Sequence, residues 1–436
     1  MSGGSAWTGA AIAAVTAGYA LFSRRLSSTP VSAPMVFTGF GVLIGPIGLD
    51  VLDLGHDAGP VMVLAEAALA LLLFTDAMTV RRQALRAGRF LPLRLLAIGL
   101  PLCIAAGWLL AWPLFPGLTM WEFALLGAVL APTDAALGKT AGSSPRVPAL
   151  VRQGLNVESG LNDGLALPFF LLFLAALPGT LASEEGAGGV FWRSVVISTL
   201  VGLALGWAGG RLLALAQARD WATGEWQQVT VLAVAFCAYG VAAGIDGSGF
   251  IATWMGGFAF GTALRTGSSV AEDRAEKRPS DLAEYVGGLL GTMSFLAFGA
   301  VLLGPALEHL NWRIITYAVL SLTIVRMLPV TLALIGTGMR APTLAYMGWF
   351  GPRGLASVVF GLLLVEDRVP GMELLGQVIA VTIGLSILLH GMSAPYFASL
   401  YGDWYDTAKA ADPDLCEARG TAEASTGHHP GSRRLR

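Results

Sequence analysis

Thirteen apolar runs, each about the length needed to cross a membrane as a helix, follow one another between residues 6 and 400 with short polar connectors between them. About 20 apolar residues span the hydrocarbon core of a bilayer, so a chain of 436 residues has room for all thirteen. The composition agrees: 13% of residues are charged, where a water-soluble domain carries about 25%. Lipid is therefore the solvent this chain is built for, which argues against a soluble enzyme, a nucleic-acid binder or a disulfide scaffold. The runs fall at 6–22, 32–49, 60–78, 91–112, 121–139, 156–177, 190–214, 227–244, 249–264, 284–303, 314–336, 343–364 and 374–400. Several are short or glycine-rich, which suits burial inside a bundle. Cys103, Cys237 and Cys416 lack any metal or redox spacing and read as plain residues. The first run has no basic residue before it and no clear cleavage site, so it reads as a retained helix.

Basic residues accumulate in cytoplasmic loops, which makes their positions a test of the span count. Arg24 and Arg25, the group Arg81 to Arg94, Lys139, Arg146, Arg152, Arg211, Arg219, the group Arg265 to Arg278, Arg340 and the five beyond residue 400 all follow odd-numbered spans. That is 22 of the 27 basic residues, with only Arg193, Arg313 and Arg368 on the other side. The opposite loops hold acids such as Asp50, Asp53, Glu184, Glu185, Glu366 and Asp367. This pattern predicts a multi-pass protein of the plasma (inner) membrane with its N-terminus outside and its C-terminus in the cytoplasm. From about Gly402 the apolar runs stop, and residues 402–436 read as a disordered cytoplasmic tail.

The charges that remain lie inside spans. A charged side chain at a helix centre costs about 2.5–3.5 kcal/mol or more unless partnered, so these residues are expected to face an interior or an ion path. They are Glu66, Asp76, Glu122, Asp134, Glu158, Asp163, Arg326 and Arg353. Glu66 and Glu122 sit near span ends and read as interfacial, whereas Asp134, Glu158, Asp163 and Arg326 lie deeper. In the sixth span Glu158 and Asn162 are four residues apart, as are Ser159 and Asp163, which puts both pairs on one helix face. A wet face on an apolar helix implies a cavity, and the Ser159 hydroxyl with the Asp163 carboxylate offers oxygen ligands for a small monovalent or alkaline-earth cation.

Two spans carry a proline break. In the fifth, Ala131-Pro132-Thr133-Asp134-Ala135 would free carbonyls for a cation, with Asp134 placed to balance the positive N-terminus of the half-helix that follows. In the twelfth, Gly351-Pro352-Arg353-Gly354 lies 220 residues later and seven spans on, so the two broken helices run in opposite directions. Interrupted segments at corresponding positions of two halves point to an inverted-repeat transporter with its site at the midplane. The expected architecture is all-α and membrane-integral: residues 1–178 form the first repeat, 179–220 a connecting seventh span, and 221–401 the inverted second repeat, with the breaks in spans 5 and 12 crossing.

At these residues the chain resembles the monovalent cation–proton antiporters of the NhaP/NHE type. The likeness runs through Leu26-Ser-Ser-Thr-Pro, Gly41-Val-Leu-Ile-Gly45-Pro46, Leu73-Phe74-Thr75-Asp76-Ala77, Ala131-Pro132-Thr133-Asp134-Ala135, Glu158-Ser159-Gly-Leu-Asn162-Asp163, Gly348-Trp-Phe-Gly-Pro-Arg353-Gly and His390-Gly-Met. The resemblance implies that Asp163 binds the cation or a proton, that Ser159 and Thr133 help coordinate the ion, that Glu158 pairs with Arg326, and that Asp76 lines the path. Arg353 matches the family's Gly-x-Arg-Gly stretch. Ala135 stands where the commoner pattern has proline.

A carboxylate that cannot hold a cation and a proton together is enough to couple their opposite movements. Asn162 stands where electrogenic relatives have a second carboxylate, which implies one cation, Na⁺ first with K⁺ and Li⁺ as the other candidates, exchanged per proton without net charge. The expected partners are that cation, H⁺, membrane lipids and a second copy of the chain, with no cofactor and no nucleic acid. A panel including spans 1–2 and 8–9 would carry the dimer contact. A cation channel remains the alternative, although channels tend to repeat their filter and this chain has a single Asn-Asp site. An intramembrane enzyme using Ser159 or His390 is disfavoured, since Ser159 has no histidine at helical spacing.

Overall fold

The computed structural model describes residues 3–26, 29–50, 59–80, 90–134, 144–180, 187–267, 278–412 and 414–418. All regular structure among them is helical. In chain order the main helices are α1 (Gly3–Leu26), α2 (Ala33–Ile44), α3 (Gly59–Thr79), α4 (Leu91–Leu114), α5 (Met120–Val129), α6 (Ala149–Ala176), α7 (Ala187–Ala218), α8 (Gly224–Ala243), α9 (Gly249–Gly267), α10 (Asp281–Glu308), α11 (Trp312–Ala333), α12 (Ala341–Trp349), α13 (Leu355–Glu366) and α14 (Met372–Ala411). A helix stands at each of the thirteen expected spans, with α12 and α13 together making the twelfth. Eight of the described helices are long and apolar enough to cross a membrane alone; α2, α5 and α13 are apolar but shorter. Large apolar side chains such as Leu21, Leu109, Trp112, Leu200, Trp207 and Leu212 are more than half exposed, the outer surface expected where lipid is the solvent.

Apolar side chains gain nothing by leaving lipid tails for one another, so membrane helices associate where small residues let backbones touch. That rule organises one side of the molecule. Gly202 and Gly206 of α7 lie against the backbone of Ala252 and Gly256 in α9, and Gly257 and Gly261 of α9 lie against the carbonyls of Phe74 and Met78 in α3. In the same way Gly41 of α2 lies against the Leu296 carbonyl of α10, and Gly299 of α10 against the Thr38 carbonyl of α2. Prolines shape the longer rods. Short π-helical turns at Leu95–Gly99 and Gly299–Leu303 precede Pro101 and Pro305, whose missing amides would otherwise interrupt the ladder.

The fifth and twelfth spans are both interrupted. After α5 the chain runs through a bend at Ala131 into non-helical backbone at 132–134, and between α12 and α13 residues 350–354 are likewise non-helical. The remainder of the fifth span, including Ala135, lies outside the described residues, as do the basic loops 81–89 and 268–277. Glu122 reads as a local cap: the Thr119 amide donates to Oε2 at 2.5 Å and the Glu122 amide donates to the Thr119 hydroxyl at 3.4 Å.

The tail departs from expectation. Residues 402–411 continue α14, and Leu415, Cys416, Glu417 and Ala418 are buried; 419–436, with His428 and His429, lie outside the described residues. The overlooked signal is an aromatic stripe at helical spacing: Tyr401 stacks on Trp404, and Tyr405 packs with Leu415 and Ala418. Glu417, 1% exposed, accepts hydrogen bonds from the Arg340 amide at 2.9 Å and the Thr343 hydroxyl at 2.6 Å, and so caps the start of α12.

Candidate functional site

The two breaks cross and serve each other. A helix interrupted in mid-membrane leaves amides unpaired at one new end and carbonyls at the other, with partial charges to match. Asp134, from the first break, accepts a hydrogen bond on Oδ2 from the Leu355 amide at 2.9 Å, while its own amide donates to the Pro352 carbonyl at 2.8 Å. The acid thus balances the N-terminus of α13, in the other break. Arg353 repays the exchange. Its Nη1 donates to the carbonyls of Ala131 at 3.2 Å, Gly351 at 3.1 Å and, more weakly, Pro132 at 3.5 Å. The Ser357 hydroxyl donates to the Val129 carbonyl at 2.6 Å. Carbonyls that the sequence made available to a cation are in this structure taken by arginine and serine.

Glycine makes the crossing close enough. A β-carbon on Gly354 would overlap the Asp134 carboxylate, and one on Gly351 would overlap the Arg326 guanidinium, so Gly-Pro-Arg-Gly admits a charged group at each of its ends. Arg353 is itself fixed by a hydrogen bond from its amide to the Ser386 hydroxyl at 2.7 Å; the same hydroxyl lies 3.1 Å from Nδ1 of buried His390. Sequence reasoning passed over Ser357 and Ser386. Their signal was available in principle, as lone hydroxyls on otherwise apolar segments.

Beside this crossing stands α6. The Asn162 side-chain amide donates to the Thr133 hydroxyl at 2.5 Å, and the Thr133 and Ser159 hydroxyls are 3.3 Å apart. Thr133, from the break, is thereby joined to two residues one turn of α6 apart. One residue further, Asp163 leaves Oδ1 without a hydrogen-bond partner among the described residues. One turn back along α6 from Asn162, Glu158 and Arg326 form two parallel hydrogen bonds of 2.6 and 2.9 Å with both side chains 3% exposed. A kink at Thr323 in α11 precedes Arg326 by less than a turn. The arginine is therefore neutralised by Glu158, leaving the Asp163 carboxylate to act separately.

A cavity of about 950 Å³ reaches this cluster. Asp76, Asp134 and Asp163 line its inner end, and exposed Pro30, Pro145 and Arg146 line its mouth, on the face where α1 ends in Arg24 and Arg25. Asp76 of α3 packs against Gly160 of α6, where a β-carbon would sit 3.4 Å from its own. Glu66 does not line this cavity. Among the described residues no group of three His, Cys, Asp or Glu side chains could hold a metal ion. The cluster instead combines one open carboxylate with hydroxyl and amide oxygens, a set suited to a weakly held monovalent cation or a proton.

A family model described as the transmembrane sodium/hydrogen exchanger matches residues 11–399. Over 374 residues the chain is 27% identical to a protein named K⁺/H⁺ antiporter NhaP from Alkalimonas amylolytica, covering 84% of this chain and 62% of that one. It is 25% identical to Na⁺/H⁺ antiporter 2 from Zygosaccharomyces rouxii, covering 75% of this chain and 42% of that one. The chain thus spans less than two thirds of the length of both relatives. Its fold is that of the sodium proton antiporter MjNhaP1 from Methanocaldococcus jannaschii, with a TM-score of 0.73, 20% identity, and 92% of this chain and 98% of the other aligned.

Proposed function

The chain belongs to the sodium/hydrogen exchanger family, and from that premise we propose that it exchanges a monovalent cation for H⁺ by competition at Asp163. The observation that carries the reading is the Asp163 carboxylate, with one oxygen unpaired, at the inner end of an open cavity beside the linked hydroxyls of Thr133 and Ser159. Those three residues hold the cation, Asn162 orients Thr133, and Asp76 lines the approach. Na⁺ is the first candidate, with K⁺ and Li⁺ next.

Among the described residues most other charges near the site are committed, and Asp76, on the approach, is not part of the ion-binding set. Glu158 neutralises Arg326, while Asp134 and Arg353 balance the broken helix ends. One carboxylate then carries either one proton or one cation, which makes the exchange one for one and electroneutral. Alternating access follows from the crossing helices with α6 moving against α3 and α9. The two halves 1–178 and 221–401 are the inverted repeats, linked through 179–220. The chain works as a homodimer in the plasma membrane, N-terminus outside, so the cavity of this structure faces the cytoplasm.

Proteoliposomes loaded with a pH-sensitive dye test the proposal. Cation addition should drive proton flux by the wild type and not by D163N, with both proteins equally folded, and imposed voltage should leave the rate unchanged. Full activity in D163N would remove the central residue, and a voltage-dependent rate would overturn the stoichiometry.

A further inference from the structure

Asp163 is open to the cavity on one side, and its neighbour Gly164 is covered on another. A β-carbon at Gly164 would fall on three atoms of the Trp254 indole at nearly equal distances, Cγ, Cδ2 and Cε2, so the ring of this α9 residue lies face-on against the backbone of α6. Trp254 takes no part in lining the cavity. We propose that Trp254 is the seal of the ion site on the side away from the cavity, seated in the notch at Gly164, and that undocking of its ring opens Asp163 to the opposite face. The role in transport rests on the exchange proposed above.

Three features suit the ring to a reversible closure. First, the notch exists only because position 164 has no side chain, so the contact is one of shape. Second, the indole Nε1–H is buried without a partner among the described residues, and a donor left unpaired in the closed state opposes permanent docking. Third, the ring has a rigid support. Gly257 holds α9 against the Phe74 carbonyl of α3, two residues from Asp76, and Asp76 packs against Gly160, one turn back along α6. Trp254 and Asp76 therefore form one unit facing two consecutive glycines of the site helix. Motion of α6 against that unit moves both together, exposing the site on one face as it is closed on the other.

Two measurements test the seal. In proteoliposomes, removing the ring with W254A should disfavour the closed state and raise the apparent cation KM at the cavity face about tenfold with a smaller change in maximal rate. W254F, which keeps a ring face, should stay within about twofold of wild type. G164A should shift KM in the same direction as W254A, and the double variant G164A/W254A should be no worse than W254A alone, because the added methyl then has no ring to displace. An unchanged KM in W254A, or an undiminished G164A effect in the W254A background, would overturn the proposal. The second measurement does not depend on exchange. With Cys103, Cys237 and Cys416 replaced by serine, D163C should react with an impermeant maleimide from the face opposite the cavity about tenfold faster in W254A than with Trp254 present. Equal rates would refute the seal whatever D163N shows about transport.

Discussion

Deleting Arg326 should destabilise the protein more than deleting Arg353, although both arginines are buried. Arg326 and Glu158 are 3% exposed and joined by two hydrogen bonds of 2.6 and 2.9 Å. Two unit charges about 4 Å apart attract by about 4 kcal/mol at an effective dielectric near 20. Desolvation of both ions offsets most of that gain, so the intact pair contributes little net stability. Removing one ion is different: the survivor stays desolvated and unpaired, at about 3–5 kcal/mol. Arg353 makes no ion pair among the described residues, and its Nε and Nη2 lack partners. R353A strands carbonyls at about 1–3 kcal/mol but also removes a buried, unpaired charge, which offsets part of the loss. Thermal melting in detergent should therefore place R326A below R353A, with E158L/R326M recovering much of the difference. Equal melting temperatures for R326A and R353A, or a double variant no more stable than R326A, would refute the reasoning.

Three further outcomes are expected. G354A pushes a methyl into the Asp134 carboxylate and should destabilise the crossing by about 1–3 kcal/mol, read as a lower melting temperature together with slower exchange; wild-type values for both would show that the approach is not tight. E417A removes the cap of α12 and should cost about 1–2 kcal/mol, visible as faster hydrogen exchange at the first amides of that helix. Asp367, in the connection between α13 and α14, has its carboxyl raised to about 6 by burial and then by neighbouring Glu366. Its penalty on the folded state is thus absent below the unfolded carboxyl pKa near 4 and fully present above 6. D367N should leave the melting temperature unchanged at pH 4 and raise it at pH 7.5, and a fall at pH 7.5 would contradict the assignment.

Much of the architecture was legible because hydrophobicity, proline and charge act locally. A run of apolar residues forms a helix in lipid whatever lies beside it, and Pro132 and Pro352 interrupt their spans without help from the rest of the chain. The short list of intramembrane charges followed for the same reason, since each is costly wherever the helix packs. The docked start of the tail is not legible in its composition, which is polar overall, because the stripe of Tyr401, Trp404 and Tyr405 that docks it occupies a single face.

What the sequence alone determined, then, was an all-helical membrane chain with two broken spans and a handful of buried charges. Which charge serves which break was decided only by tertiary structure. Asp134 reaches the Leu355 amide across 221 positions, and Arg353 reaches the Ala131 carbonyl across 222. Each acid or base was locally equivalent to its neighbours as a candidate, and only the crossing brought one of them within hydrogen-bond reach of the opposite helix end. The notch at Gly164 is the same kind of fact. A glycine in an apolar helix says that something can come close, and the packing of α9 against α6 decides that it is Trp254, because close packing is a property of two surfaces together.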